Sequence, residues 1–212
     1  MKKVLAIVGI LLLAFVGYIY FFYFRSGKRR DRGPKPQSEK VSKHDEAFNQ
    51  SVGSVLDAYY KMTEAFVNWD TTAIDQSASE LKIALDSFRI NDLKKDSIIY
   101  LTALDPLANS KSSVALIISS PSIDSKRVSL NDLSDNLQQL LRTVKYDQAK
   151  LYWQECPMAF GEERPGNWLS KTDAVRNPYL GLKHPKFKDQ MLDCGGPKDT
   201  INFMMADTTH IH

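Results

Sequence analysis

The sequence predicts a mainly α fold. It consists of an antiparallel bundle of about four helices, a small irregular β/loop subdomain after it, and a single N-terminal transmembrane helix ahead of it. Three observations predict this. Val4 to Phe24 is an uncharged run of 21 residues. Between Phe48 and Val144, apolar residues recur at alternating intervals of three and four, the period of a helix face. After Tyr146 that period gives way to β-prone and turn-forming segments that hold both cysteines.

The uncharged run would make a helix about 31 Å long, the thickness of a hydrocarbon core. Lys2 and Lys3 precede it, and it ends in Tyr18, Tyr20, Phe21, Phe22, Tyr23 and Phe24, which suit the membrane interface. No small-x-small cleavage site follows, so residues 1–25 read as an uncleaved signal anchor, with a cleaved signal peptide as the rival. Residues 26–44 are polar, with Gly27, Gly33, Pro34 and Pro36, and read as a basic flexible linker. Residues 1–45 carry ten Lys/Arg against three Asp/Glu, whereas residues 46–212 carry 18 against 22. The overall charge of +3 is thus a basic leader on a mildly acidic folded part, which does not suit nucleic-acid binding. Arg25, Lys28, Arg29, Arg30 and Arg32 outnumber the two lysines before the run, and taken alone would place the C-terminal part in the cytoplasm.

The bundle is predicted over residues 45–147. Phe48, Val52, Val55, Tyr59, Met62, Phe66 and Trp69 share one helical stripe. Asp70-Thr71-Thr72 breaks it and offers a cap, and Ile74, Ala78, Leu81, Leu85 and Phe88 form a second stripe. Leu93 to Leu104 reads as helix, with a break and restart at Asp105-Pro106. Val128, Leu130, Leu133, Leu137, Leu140, Leu141 and Val144 give the last stripe. A partner-binding coiled coil would use the same stripes, but short connections between similar lengths favour a bundle core. His44 beside Asp45 reads as a solvated residue.

Residues 148–204 read as a Cys/Met-containing subdomain packed on the bundle, and 205–212 as a tail in which His210 and His212 join Met204 and Met205 as soft donors. Leu151-Tyr152-Trp153 is β-prone; Asn177-Pro178 and Gly195-Gly196-Pro197 are turn signals. Only two cysteines are present, which excludes a multi-disulfide scaffold and a four-cysteine zinc site. Each has a methionine close by, in Cys156-Pro157-Met158 and Met191-Leu192-Asp193-Cys194. Thiolate and thioether together suit Cu(I) or Ag(I). Cys156, Met158, Met191 and Cys194 are therefore candidate ligands, with His184 as an auxiliary. The alternative is a Cys156–Cys194 disulfide, which would close a 38-residue separation and contribute about 4 kcal/mol in the chain-entropy model. Catalysis by Cys156 lacks an orienting third partner, and no phosphate loop or metalloprotease motif is present, so no enzymatic activity is expected.

The ordered strings YWQECPMAF, NWLS, RNPYLG and MLDCG resemble a bacterial domain of unknown function. That family occurs alone and fused to the C-terminus of copper/silver-efflux periplasmic adaptor (membrane-fusion) proteins. The similarity covers about residues 46–203, with Cys156 to Ala159, Trp168 to Ser170, Asn177 to Gly181 and Met191 to Gly195 as its motifs. It implies a single-pass inner-membrane protein with its C-terminal domain in the periplasm, against the arginine count. It also implies a part in heavy-metal trafficking or efflux, with an efflux-pump or other envelope protein as partner. A disulfide-stapled, non-enzymatic interaction domain is the alternative function.

Overall fold

The computed structural model describes residues 15–16, 18–20 and 42–204. The anchor, the linker up to residue 41 and the tail from residue 205 otherwise lie outside the described residues; Phe15, Val16 and Tyr18 to Tyr20 are helical. Among the described residues no helix is long and apolar enough to cross a membrane. The chain divides into two compact units, Met1–Lys40 and Val41–His212.

The second unit is mainly helical. Four α-helices run Glu46–Val67 (α1), Thr71–Asp86 (α2), Ser97–Ser119 (α3) and Ile123–Thr143 (α4), with a 3₁₀ helix at Ile90–Lys95 before α3. Each α-helix opens on a side-chain cap that satisfies first-turn N–H groups. Asp45 accepts from Phe48, Asp70 from Ala73, Asp96 from both Ile98 and Ile99, and Ser122 from Ser125. The three-residue links Asn68–Asp70 and Ser120–Ser122 turn consecutive helices back on one another, as in an antiparallel bundle. The core is built from the stripes read in sequence: Phe48, Val52, Tyr59, Met62, Phe66, Ile74, Leu81, Leu85, Leu130, Leu133 and Leu137 are all buried.

Four details differ from the sequence reading. α3 does not break at Pro106 but runs through it. Ala103, Pro106, Leu107 and Ser110 are buried along one face, which holds the helix in register. The carbonyl that loses its N–H partner belongs to Thr102, an exposed residue where water can replace the bond. Trp69 lies beyond the end of α1, at φ 56°, in the left-handed conformation that ends many helices. Val128 is half exposed rather than part of the core stripe. His44 is half-buried and its Nε2 lies 2.7 Å from the Val144 carbonyl.

A three-stranded antiparallel sheet follows, from Leu151–Cys156 (β1), Gly166–Ser170 (β2) and Gly196–Ile201 (β3), in the order β2-β1-β3. Tyr152 pairs with Ser170 and Cys156 with Gly166 on one side of β1; Leu151 pairs with Ile201 and Glu155 with Gly196 on the other. An irregularity between Trp153 and Gln154 shifts the second register. The sheet is bonded to the bundle. The buried Tyr59 hydroxyl lies 2.7 Å from Ser134 Oγ of α4 and accepts from the Leu169 N–H of β2 at 3.1 Å. Arg142 of α4 pairs with Asp199 of β3 at 2.5 Å.

Candidate functional site

The two cysteines come from different segments and meet. Cys156 is the last residue of the central strand β1 and is fully buried. Cys194 sits in a turn just before β3 and is half-buried. Three local devices place it. The Cys194 N–H donates to the Met191 carbonyl at 3.1 Å. Asn177 Nδ2 donates to the Cys194 carbonyl at 3.0 Å, and the Asn177 N–H donates to the Leu192 carbonyl at 2.9 Å. Gly195 adopts φ +113° and presses its backbone against β1, so that a Cβ there would stand 2.1 Å from the Glu155 carbonyl oxygen. Only glycine permits both the dihedral and the approach. The result is a Cys156 Sγ to Cys194 Sγ separation of 2.7 Å.

Both residues carry free thiols here. Burial pushes the Cys194 thiol up to about 12, and the adjacent Cys156 sulfur adds to the shift. A thiol so raised is protonated at neutral pH, the opposite of an activated nucleophile.

The other sequence-derived candidates are arranged differently. Met191 is partly buried against the core. Met158 is 38% exposed and lines a cavity of about 660 Å³, which His184 also lines and neither cysteine does. The five candidates therefore divide into a cysteine pair with Met191 in the preceding turn, and a separate cavity with Met158 and His184. Among the described residues no group of three or more His, Cys, Asp or Glu side chains is placed to hold a metal ion.

The cavity is walled by the start of α4, by the β1–β2 loop from Met158 to Arg164, and by the segment from Leu180 to Phe187. Its most unusual member is Arg127, which is only 4% exposed. Its guanidinium lies over the Trp69 ring, 3.7 Å from the centroid, and Nη1 donates to Asp124 at 3.1 Å. Its Nε and Nη2 are buried and have no hydrogen-bond partner in the protein. Burial lowers the Arg127 side chain to about 10, with Asp124 opposing that shift. Neighbouring Lys126 is equally buried but satisfied, donating to Asp75 at 2.5 Å and to the Ile117 carbonyl at 2.6 Å.

His184 holds its own loop, because Nδ1 accepts the backbone N–H groups of Lys186 and Phe187 at 3.2 Å each. The ring proton therefore sits on Nε2. Burial first, and then the charge of Arg127, lower the His184 pKa, so the ring is neutral at neutral pH.

In sequence, Asn177 and Gly195 show only as turn residues, and Arg127 does not stand out at all. A signal for Arg127 nevertheless exists. Extending the stripe Leu137, Leu133, Leu130 by one more helical step reaches Lys126 and Arg127, so two charges fall where the register demands burial.

These features define a helical-bundle domain with a small antiparallel sheet and a juxtaposed cysteine pair. Residues 55–149 match the family model described as a protein of unknown function (DUF3347), and the chain contains such a domain of unknown function. The match stops before β1, so it comes from the helical part and not from the cysteine-bearing strings. No curated protein and no solved structure matches the chain.

Proposed function

We propose that the protein is a non-enzymatic binding domain stapled by Cys156 and Cys194, held at the periplasmic face of an inner membrane by the Val4–Phe24 anchor. There it would recruit an envelope or efflux-pump partner. One observation carries the staple: the two sulfurs lie 2.7 Å apart. Asn177 and Gly195 supply the backbone reason for that approach. Forming the bond removes one proton and one electron from each thiol, passed to a disulfide-bearing oxidant of the compartment. An oxidising compartment is where such a bond persists, which agrees with the periplasmic expectation.

A second reading retains copper. In the reduced state Cys156 and Cys194 would bind Cu(I) or Ag(I), with Met191 from the adjoining turn as a third soft donor. Met191 reaches this role through its place in the same turn, since its carbonyl accepts the Cys194 N–H at 3.1 Å. Metal–sulfur bonds of about 2.3 Å at an angle near 120° would separate the sulfurs to roughly 4 Å. The pair must therefore open to admit the ion, whereas the staple needs only a small closing movement. Met158 and His184, lining a separate cavity, take no part in this version.

Competition with a Cu(I) chelator separates the readings. The full chain isolated without reductant is compared with the Cys156→Ser/Cys194→Ser variant. Under the staple reading the two compete equally for Cu(I). Copper withdrawn from the chelator by the wild type, and not by the double variant, would replace the staple reading with the second one.

A further inference from the structure

The cavity beside Arg127 is not used by either reading of the cysteines. We infer that it is a binding site for an organic carboxylate with an apolar body, with the buried, unpartnered edge of the Arg127 guanidinium as its anchor.

Arg127 spends Nη1 on Asp124 and its ring-stacking face on Trp69. The two nitrogens left with no partner at all are Nε and Nη2, both buried. These two groups lie on one edge of the guanidinium and point the same way. That edge is the fork that grips the two oxygens of a carboxylate. The same protein shows the fork filled: Arg176 gives Nε and Nη2 to the two oxygens of Glu64, at 2.6 and 2.5 Å. Unsatisfied buried donors on a cation are costly, and a charged acceptor would remove that cost.

Charge and shape select the ligand. The cavity wall carries Arg127, Arg164 and Lys186 against Asp124 and Glu162, and His184 is neutral, so the balance is positive by one. His184 Nε2–H adds a neutral donor. The rest of the wall is apolar and includes Phe160, Phe187 and Leu180. Phe187 stacks on His184, with ring centroids 4.9 Å apart. At about 660 Å³ the space is of the size that takes small organic ligands rather than a bare ion. Met158 and Lys186, both unbranched and flexible, are the side chains suited to adjust as a ligand reaches the buried edge.

The test is calorimetric titration of the full chain with 2-naphthoate, with its uncharged analogue 2-naphthalenemethanol, and with inorganic phosphate. Naphthoate is expected to bind at least about ten-fold more tightly than the alcohol, because only the acid fills the fork. Phosphate alone is expected to bind more weakly than naphthoate. Arg127→Lys keeps the charge and removes the fork, and should weaken naphthoate binding by about ten-fold. Val128→Phe, at an exposed position on the cavity wall, should weaken it by blocking the space, and it leaves the Arg127–Asp124 pair in place. Lys82→Gln, outside the cavity, should change nothing. If Arg127→Lys fails to fold by circular dichroism, Val128→Phe and the acid–alcohol comparison decide. Any of three results overturns the assignment: no naphthoate binding, equal affinity for acid and alcohol, or phosphate binding as tight as naphthoate.

Discussion

Asn177 holds Cys194 in place. Its Nδ2 donates to the Cys194 carbonyl at 3.0 Å, while its Oδ1 accepts the N–H groups of Tyr179 and Leu180 at 2.8 and 3.1 Å. The residue is fully buried, and the two bonds to its Oδ1 are made away from competing water. Asn177→Ala removes all three bonds and leaves a partly buried carbonyl and two buried N–H groups unpaired. It should cost about 3 kcal/mol, read from the midpoint of a denaturant transition. Asn177→Asp keeps the acceptor and loses the donor, so it should restore part of that loss.

Gly195 supplies the approach that Asn177 fixes. Gly195→Ala would place a methyl 2.1 Å from the Glu155 carbonyl oxygen at φ +113°. The turn must then move away from β1 and take Cys194 with it. We expect a loss of about 2 kcal/mol or more. Both thiols should also become open to alkylation in protein never exposed to reductant.

The ion pair of Glu64 with Arg176 ties α1 to the segment that carries Asn177, with nitrogen and oxygen 2.5 Å apart. The hydrogen bond from Arg176 lowers the Glu64 pKa below its usual 4.5. A carboxylate with a depressed folded pKa stabilises the fold above its unfolded value, and that stability is lost as pH falls through the folded value. The loss should therefore appear below pH 4.5. Because both side chains are close to half exposed, it should stay within about 1 kcal/mol. Arg176→Gln should flatten this part of the stability–pH curve.

The cap at Asp96 is the strongest of the four by bonding, since one carboxylate oxygen accepts from Ile98 and Ile99, both at 3.1 Å. Asp96→Ala should cost about 1 kcal/mol or more and exceed the effect of Asp70→Ala, where one N–H is capped. Thermal unfolding of the two variants checks the order.

The helical part is legible in sequence because its signal is periodic. Seven residues from Phe48 to Trp69 repeat at helical spacing, and six of them sit on α1 and are buried. The seventh, Trp69, continues the spacing after the helix has ended, because a stripe does not reveal a left-handed residue. Pro106 misleads for a related reason. Its local preference is to break a helix, but burial beside Ala103 and Leu107 and the exposure of Thr102 override it. The sheet is legible only in outline, at Leu151 to Trp153. Gln154 pairs with Trp168 and Pro197, which lie 14 and 43 residues away and leave no local mark. For the cysteines, composition offers both a metal site and a bond. The difference lies in Asn177 and Gly195, whose bonds and contacts span 17 and 40 residues. Arg127 is hidden because a charge within a polar run such as Ser125-Lys126-Arg127 reads as solvated until the helical register is followed through it.

Peptide mapping tests the Cys156–Cys194 staple most directly. The full chain is isolated without reductant, its free thiols are blocked before unfolding, and it is digested. A single cross-linked species joining the Cys156 and Cys194 peptides, with neither cysteine blocked, is the predicted result. Two separate peptides, each carrying the blocking group, would contradict the staple.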